Sequence, residues 1–76
     1  MPLRIGKLYR YTDFFITLYA DHENVKPVFY LESGENFFVL DKKEKQGFFT
    51  DYKVLTAGGI MGWNHFQDED AYILEE

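Results

Sequence analysis

With 76 residues, the chain is long enough for one small domain spanning residues 1–76, and at this size apolar burial only narrowly outweighs the lost chain entropy. The absence of cysteine excludes disulfides and thiolate zinc sites, and a net charge of −5 argues against nucleic acid as a partner. The sequence contains neither a signal peptide nor an apolar run long enough to span a membrane. We therefore expect a soluble, cytoplasmic protein without membrane contact, and the initial Met1 favours a complete small reading frame.

Aromatic residues are the most distinctive part of the composition. Eight Phe, six Tyr and one Trp compensate for the missing cross-links, because each large ring buries roughly 150 to 250 Å². Six of the phenylalanines form the doublets Phe14-Phe15, Phe37-Phe38 and Phe48-Phe49. Neighbouring side chains on a strand point to opposite faces. If the doublets lie on strands, one ring of each enters the core and the other faces outwards.

Short apolar runs rich in aromatic and β-branched residues, separated by polar, Gly or Pro residues, predict β-structure. The first predicted strand covers about residues 4–11. Tyr9 and Tyr11 share one face of this strand, and Leu8 lies with Arg10 on the other. One face of this strand is therefore aromatic.

Residues 14–20 fit two patterns. Their apolar residues alternate as in a strand, and they also recur at helical spacing behind Thr12 or Asp13, either of which is a suitable helix cap. We favour the strand, and the helix stays an alternative.

Turn signals divide the rest of the chain into short strands. A loop at residues 21–27 and a tight turn at Ser33-Gly34-Glu35 are followed by solvated or Gly-rich turns at 42–47 and 57–59. An acidic helical turn is predicted at residues 68–71. The predicted strands are 28–32, 36–41, 48–56, 60–66 and 72–74. The fold class is therefore all-β, a small barrel of five to six strands, with one short helical turn near the C-terminus as an option.

The order of these elements resembles an SH3-like small barrel. That family often opens with an Ala-Leu-Tyr-Asp-Tyr strand, and its diverging turn precedes an apolar strand, a Trp pair, a late Gly-Tyr or Gly-Trp step and a closing Tyr-Val. The corresponding segments of this chain are Lys7-Leu8-Tyr9-Arg10-Tyr11, Ser33-Gly34-Glu35 with Phe37-Phe38-Val39-Leu40, Phe48-Phe49, Gly62-Trp63 and Tyr72-Ile73.

The resemblance implies a binding groove and a class of ligand. Such grooves stack Pro-rich polyproline II peptides on aromatic rings, beside acidic residues of a long loop. The ring positions that the resemblance assigns to the groove are Tyr9, Tyr11, Phe48 and Tyr72, and the acidic rim residues are Asp21 and Glu23. An alternative interpretation is that the tyrosines, with Tyr30, are half-buried structural residues of the barrel.

Other candidate sites are weaker. Trp63 is more typical of a core residue or a barrel-end plug than of a ligand platform, although an aromatic cage for a cation is chemically conceivable. His65 has Asp68 and Asp70 at ligand-like spacing, but this pattern is more typical of a solvated acidic turn than of a metal site. Ser33 lies in a turn without a nearby His, so no catalytic residue is nominated, and no cofactor is expected.

Two functions fit these observations. The first is a non-enzymatic interaction module that presents an aromatic, acid-rimmed surface to a protein or peptide. The second is a small structural or assembly protein, such as an accessory protein of a phage or bacterium, which self-associates through its surplus rings into a homo-oligomer.

Overall fold

In a computed structural model, which describes residues 3–44 and 49–75, the chain forms one antiparallel sheet curled into a half-barrel. The strands are Leu8–Tyr11 (β1), Phe15–Tyr19 (β2), Pro27–Glu32 (β3), Asn36–Glu44 (β4), Thr50–Thr56 (β5), Met61–Asn64 (β6) and Tyr72–Leu74 (β7). Their order across the sheet is β3-β2-β6-β5-β4-β1-β7. A single 3-10 turn, Glu69–Ala71, precedes β7. Within these described residues no helix is long and apolar enough to cross a membrane.

The all-β class and the short helical turn are confirmed, but the predicted count of five to six strands is wrong. The described residues contain seven strands, because even the four-residue β6 and the three-residue β7 find pairing partners in the sheet. Residues 15–19 form a strand and not a helix. This strand pairs with β3 on one side and with β6 on the other, so its backbone groups form hydrogen bonds to neighbouring strands and not within a helix.

A tight turn separates β3 from β4 without pairing them. Gly34 adopts a φ of +92°, which favours glycine, and its N–H donates to the carbonyl of Tyr11 at 2.7 Å. The N–H of Tyr11 donates in return to the carbonyl of Glu35 at 2.8 Å. Beyond this anchor, β3 pairs with β2 while β4 pairs with β1 and β5, so the two strands diverge.

The core lies on the concave face of the sheet and is largely aromatic. Phe37 is fully buried and stacks on Tyr9 and Phe66, with ring centroids 5.7 and 4.9 Å apart. Tyr72 meets Tyr9 edge to face at 5.6 Å. We call Tyr9, Phe37, Phe66 and Tyr72 the core rings. Buried aliphatic side chains complete the core, including Leu18, Leu31, Val39 and Val54.

A glycine allows β6 to cross close to β2. A Cβ atom added to Gly62 would lie 2.6 Å from Cβ of Leu18, which no real side chain tolerates. The next residue, Trp63, therefore points away from the core; it is half-buried and meets the ring of His22 edge to face at 5.8 Å. Of the two structural roles predicted for Trp63, that of a core residue is wrong, because the two-residue period of β6 assigns the inward position to Gly62. The role of a barrel-end plug stays a prediction.

The doublet prediction holds for one pair and fails for another. Phe37 is buried and Phe38 is exposed, as alternation on a strand requires. Phe14 and Phe15 are both exposed, because β2 begins only at Phe15 and Phe14 lies in the bend before it. Phe48 lies outside the described residues.

Candidate interaction surface

The β2–β3 hairpin and the bend before it carry the three most exposed aromatic side chains among the described residues. Phe14 is 88% exposed, Phe15 58% and Tyr30 57%, and Val28 on the same hairpin is 43% exposed. The rings of Phe15 and Tyr30 meet edge to face with centroids 5.8 Å apart. We call Phe14, Phe15, Val28 and Tyr30 the hairpin surface.

Strand register explains why these side chains face outwards. Ile16 pairs with Leu31 and Leu18 pairs with Phe29, and these four side chains pack into or against the core. The residues between them on each strand must point to the opposite face. Phe15 and Tyr30 therefore share the convex face, where nothing in the described part of the chain covers them.

A groove with an acidic end runs along this hairpin. It encloses about 500 Å³ and is lined by Pro27, Val28, Phe29, Tyr30, Glu32 and Glu35. The carboxylate of Glu35 accepts the N–H of Glu32 at 2.6 Å, which holds the two acidic residues together at one end. The described lining residues include two carboxylates and no basic side chain, so the groove has a negative electrostatic potential.

The tyrosines assigned to a peptide groove lie in the core. Tyr9, Tyr11 and Tyr72 are buried, because the inward parity of β1 and the start of β7 point all three rings at the concave face. Their hydroxyls reach backbone groups near the edge: Tyr9 Oη accepts the N–H of Arg4 at 2.9 Å, and Tyr11 Oη donates to the carbonyl of Phe15 at 3.3 Å. These three rings are structural, as in the alternative interpretation, but they are buried and not half-buried, and Tyr30, its fourth member, is 57% exposed. Ligand binding by Tyr9, Tyr11 and Tyr72 stays a prediction.

Burial also affects the acidity of these phenols. It raises the pKa of Tyr72 to about 12, with the nearby charge of Glu69 acting in the same direction. Burial likewise raises the pKa of Tyr11, as does the charge of Asp13. Both hydroxyls therefore stay protonated across the physiological range.

The predicted acidic rim residues lie at the tip of the hairpin. Asp21 and Glu23 are exposed in the loop between β2 and β3, where the Asp21 carboxylate accepts the N–H of Glu23 at 2.9 Å. The hairpin therefore has carboxylates at both ends, with Glu32 and Glu35 at the base and this pair at the tip.

A buried polar cluster fixes the hairpin tip to the rest of the sheet. Asp51 on β5 is fully buried and its Oδ1 contacts Nδ1 of His65, which follows β6. Asn24 reaches the cluster from the tip loop with a φ of +59°; its Nδ2 lies 3.0 Å from Asp51 Oδ1 and 3.0 Å from His65 Nε2. Both imidazole nitrogens are therefore engaged within the fold, and the cluster ties the tip loop to β5 and to the segment after β6.

Sequence reasoning missed this cluster. It paired His65 with Asp68 and Asp70, whereas the partner in the structure is Asp51. The available signal was the carboxylate of Asp51 inside a predicted strand, since a charged residue buried in a strand needs polar partners. Among residues 3–44 and 49–75, no three His, Asp or Glu side chains are arranged to hold a metal ion.

Comparisons with protein-family models, with curated proteins and with solved structures find no match for this chain.

Proposed function

We propose that this protein is a non-enzymatic, SH3-like interaction module that binds an extended protein segment at the hairpin surface. The divergence of β3 and β4 after the Ser33–Glu35 turn supports the fold-level resemblance, as does the closing strand β7 beside β1. The lack of cysteine supports a cytoplasmic location.

The observation that carries this proposal is the exposed Phe15–Tyr30 pair beside an acid-ended groove. More than half of each ring faces solvent although both could bury large apolar areas. Aromatic residues are enriched at the centres of protein interfaces, where a partner removes them from water. Glu32 and Glu35 at the end of the groove add a preference for a segment with at least one basic side chain.

A peptide titration tests this proposal. Isotope-labelled protein is titrated with a short synthetic peptide that alternates Val and Tyr with Lys, with a matched peptide in which Glu replaces Lys, and with a Pro-rich basic peptide. We expect the Lys peptide or the Pro-rich basic peptide to shift the signals of Phe14, Phe15 and Tyr30. The Glu peptide should bind at least about tenfold more weakly, because two carboxylates face it.

Two variants locate the site. Tyr30→Ser should abolish most of the binding, whereas Ile73→Ser changes an apolar residue of similar exposure, 44%, on the opposite edge strand β7 and should leave binding unchanged. Shifts confined to Tyr9, Tyr11 and Tyr72 would favour the tyrosine groove implied by the family resemblance and would refute the hairpin surface.

The assembly function predicted as the alternative is favoured by a separate observation, the open backbone edge of β3.

A further inference from the structure

Strand β3 lies at the edge of the sheet. One hydrogen bond to β2 shows which of its backbone groups face β2 and which face away from it. The N–H of Ser33 donates to the carbonyl of Phe14 at 3.1 Å. In an antiparallel ladder, hydrogen-bonded pairs recur every second residue, so Leu31 and Phe29 also bond across to β2. The N–H and the carbonyl of Phe29 both face β2. In each peptide group the N–H and the C=O point in opposite directions, so the carbonyl of Val28 and the N–H of Tyr30 face away from β2.

The two ends of this edge are closed. Pro27 has no N–H to offer, and the N–H of Glu32 is already bonded to the Glu35 carboxylate. Such devices limit unwanted pairing of edge strands. Between them, the outward groups of Val28 and Tyr30 remain open, and in the part of the chain that the structure describes no strand lies beside them.

We propose that the occupant of this edge is β3 of a second copy of the chain, paired antiparallel about a two-fold axis at Phe29. This inference rests on the proposed function, since β3 itself is an extended segment with apolar side chains and a flanking lysine. In this register the N–H of Tyr30 in each copy donates to the carbonyl of Val28 in the other. The two Phe29 residues lie opposite each other at the centre.

Side-chain chemistry is self-complementary in this register. The exposed side chain of Tyr30 lies opposite Val28 of the second copy, on the face that also carries Phe15. An antiparallel two-fold arrangement places Lys26, which is exposed just before β3, opposite Glu32 at the end of β3 in the other copy. The axis generates each of these contacts twice, so two opposite-charge pairs flank two apolar pairs.

Net charge opposes this association and therefore sharpens the test. Each copy carries a net charge of −5, so two copies repel at long range and a dimer must depend on the local contacts. Single charge reversals at Lys26 and Glu32 distinguish the effect of the local charge pairs from the effect of net charge. Lys26→Glu makes the chain more negative and Glu32→Lys makes it less negative, yet both place like charges opposite each other in the dimer.

The experiment is sedimentation velocity over a range of concentrations on four proteins: the unchanged chain, Lys26→Glu, Glu32→Lys and the double reversal. We expect a dimer whose dissociation constant rises about tenfold or more in each single variant and returns towards the original value in the double variant. If only net charge mattered, Glu32→Lys would strengthen association. That result, or a dimer indifferent to all three changes, overturns the register.

A cysteine variant provides an independent measurement. In a non-hydrogen-bonded antiparallel pair the opposed Cα atoms lie about 4.5 Å apart, within the range that a disulfide spans. The natural chain has no cysteine, so Phe29→Cys should give a covalent dimer on mild oxidation, whereas Val25→Cys in the exposed tip loop should not. Equal cross-linking of the two variants would contradict a two-fold axis at Phe29.

The same measurements separate this inference from the proposed function. A chain that stays monomeric up to about 1 mM but shows peptide-induced shifts at Tyr30 refutes the second copy and retains the hairpin surface as a binding site. A monomer that binds none of the peptides refutes both.

Discussion

The core rings and the hairpin surface are both rich in aromatic side chains, but their rings have opposite environments. Phe37 is fully buried and contacts Tyr9, Phe66 and Tyr72. The Phe15 ring of the hairpin surface meets one partner, Tyr30, and both remain more than half exposed. Among the ring-bearing residues that lie on strands, the two-residue period sends Tyr9, Phe37 and Tyr72 to the concave face and Phe15 and Tyr30 to the convex face.

This difference separates the two roles of the aromatic excess. The concave face uses large rings to build a core in a chain too short to fill one otherwise, and contacts among several rings fix their positions. The convex rings contribute little to the core, and we propose that another molecule covers them. The two groups must therefore respond differently when their rings are removed.

The largest expected effect comes from Phe37→Ala. Removing a fully buried ring that stacks on two others should lower the free energy of unfolding by about 3 to 5 kcal/mol, enough to unfold much of the protein. Phe15→Ala makes the same chemical change on the hairpin surface and should cost less than about 1 kcal/mol. Urea denaturation followed by Trp63 fluorescence measures both, at a concentration where the chain is monomeric. Similar losses of unfolding free energy in the two variants would contradict the distinction between structural core rings and the rings of the hairpin surface.

A second large effect is expected at the polar cluster that ties the hairpin tip to the sheet. Asp51→Ala removes the buried acceptor of Asn24 and His65, and should cost about 2 to 4 kcal/mol because these groups lose their buried partner. Asp41→Ala removes an exposed carboxylate on β4 and serves as the matched control, with a cost below about 1 kcal/mol. Thermal unfolding compares the two variants. Equal melting temperatures of the two variants would show that the cluster does not stabilise the fold.

The burial of Tyr72 in the core should make the stability of the protein depend on pH in the alkaline range. Burial raises the pKa of Tyr72 from its ordinary value near 10 to about 12 in the folded protein. Between these values the folded state retains a proton that the unfolded state has released, so the free energy of unfolding falls as pH rises from 10 to 12. This contribution is complete below pH 10, and its loss amounts to at most about 3 kcal/mol.

Denaturation at closely spaced alkaline pH values detects this loss. Tyr72→Phe removes the titrating group and should reduce the slope of stability against pH over this window, whatever its effect at neutral pH. An unchanged slope would mean that burial of the Tyr72 phenol does not govern its titration.

Much of the fold was predictable because its signals are local. Alternation identified β1, β3 and β4, and the Ser33–Glu35 turn was evident from its residue types. The same period predicted that Phe37 and Phe38 point to opposite faces, but not which of the two enters the core. Which face of β1 carries the core was not local information, because Tyr9 and Tyr11 suit either a core or a groove until the neighbouring strands are placed.

The site was predictable only in its chemistry. An aromatic surface with nearby carboxylates was expected, but its location depends on long-range register. Phe14 and Phe15 become neighbours of Tyr30 only because β2 pairs with β3 in one particular register. The Asp51 cluster likewise joins Asn24, Asp51 and His65 from three segments that are far apart in sequence, and no short sequence motif predicts such a contact.

The smallest expected effect concerns the strength of single ring pairs. A double-mutant cycle on Phe15 and Tyr30, with alanine at each position, should give a coupling of about 0.5 kcal/mol or less in the monomer, because water surrounds most of both rings. The same cycle on Phe37 and Phe66, stacked at 4.9 Å in the core, should give at least about 1 kcal/mol. If the hairpin pair is as strongly coupled as the core pair, its rings stabilise the fold directly and their exposure no longer points to a partner. If its coupling is weak in the monomer but grows at concentrations where the chain associates, the second copy covers these rings.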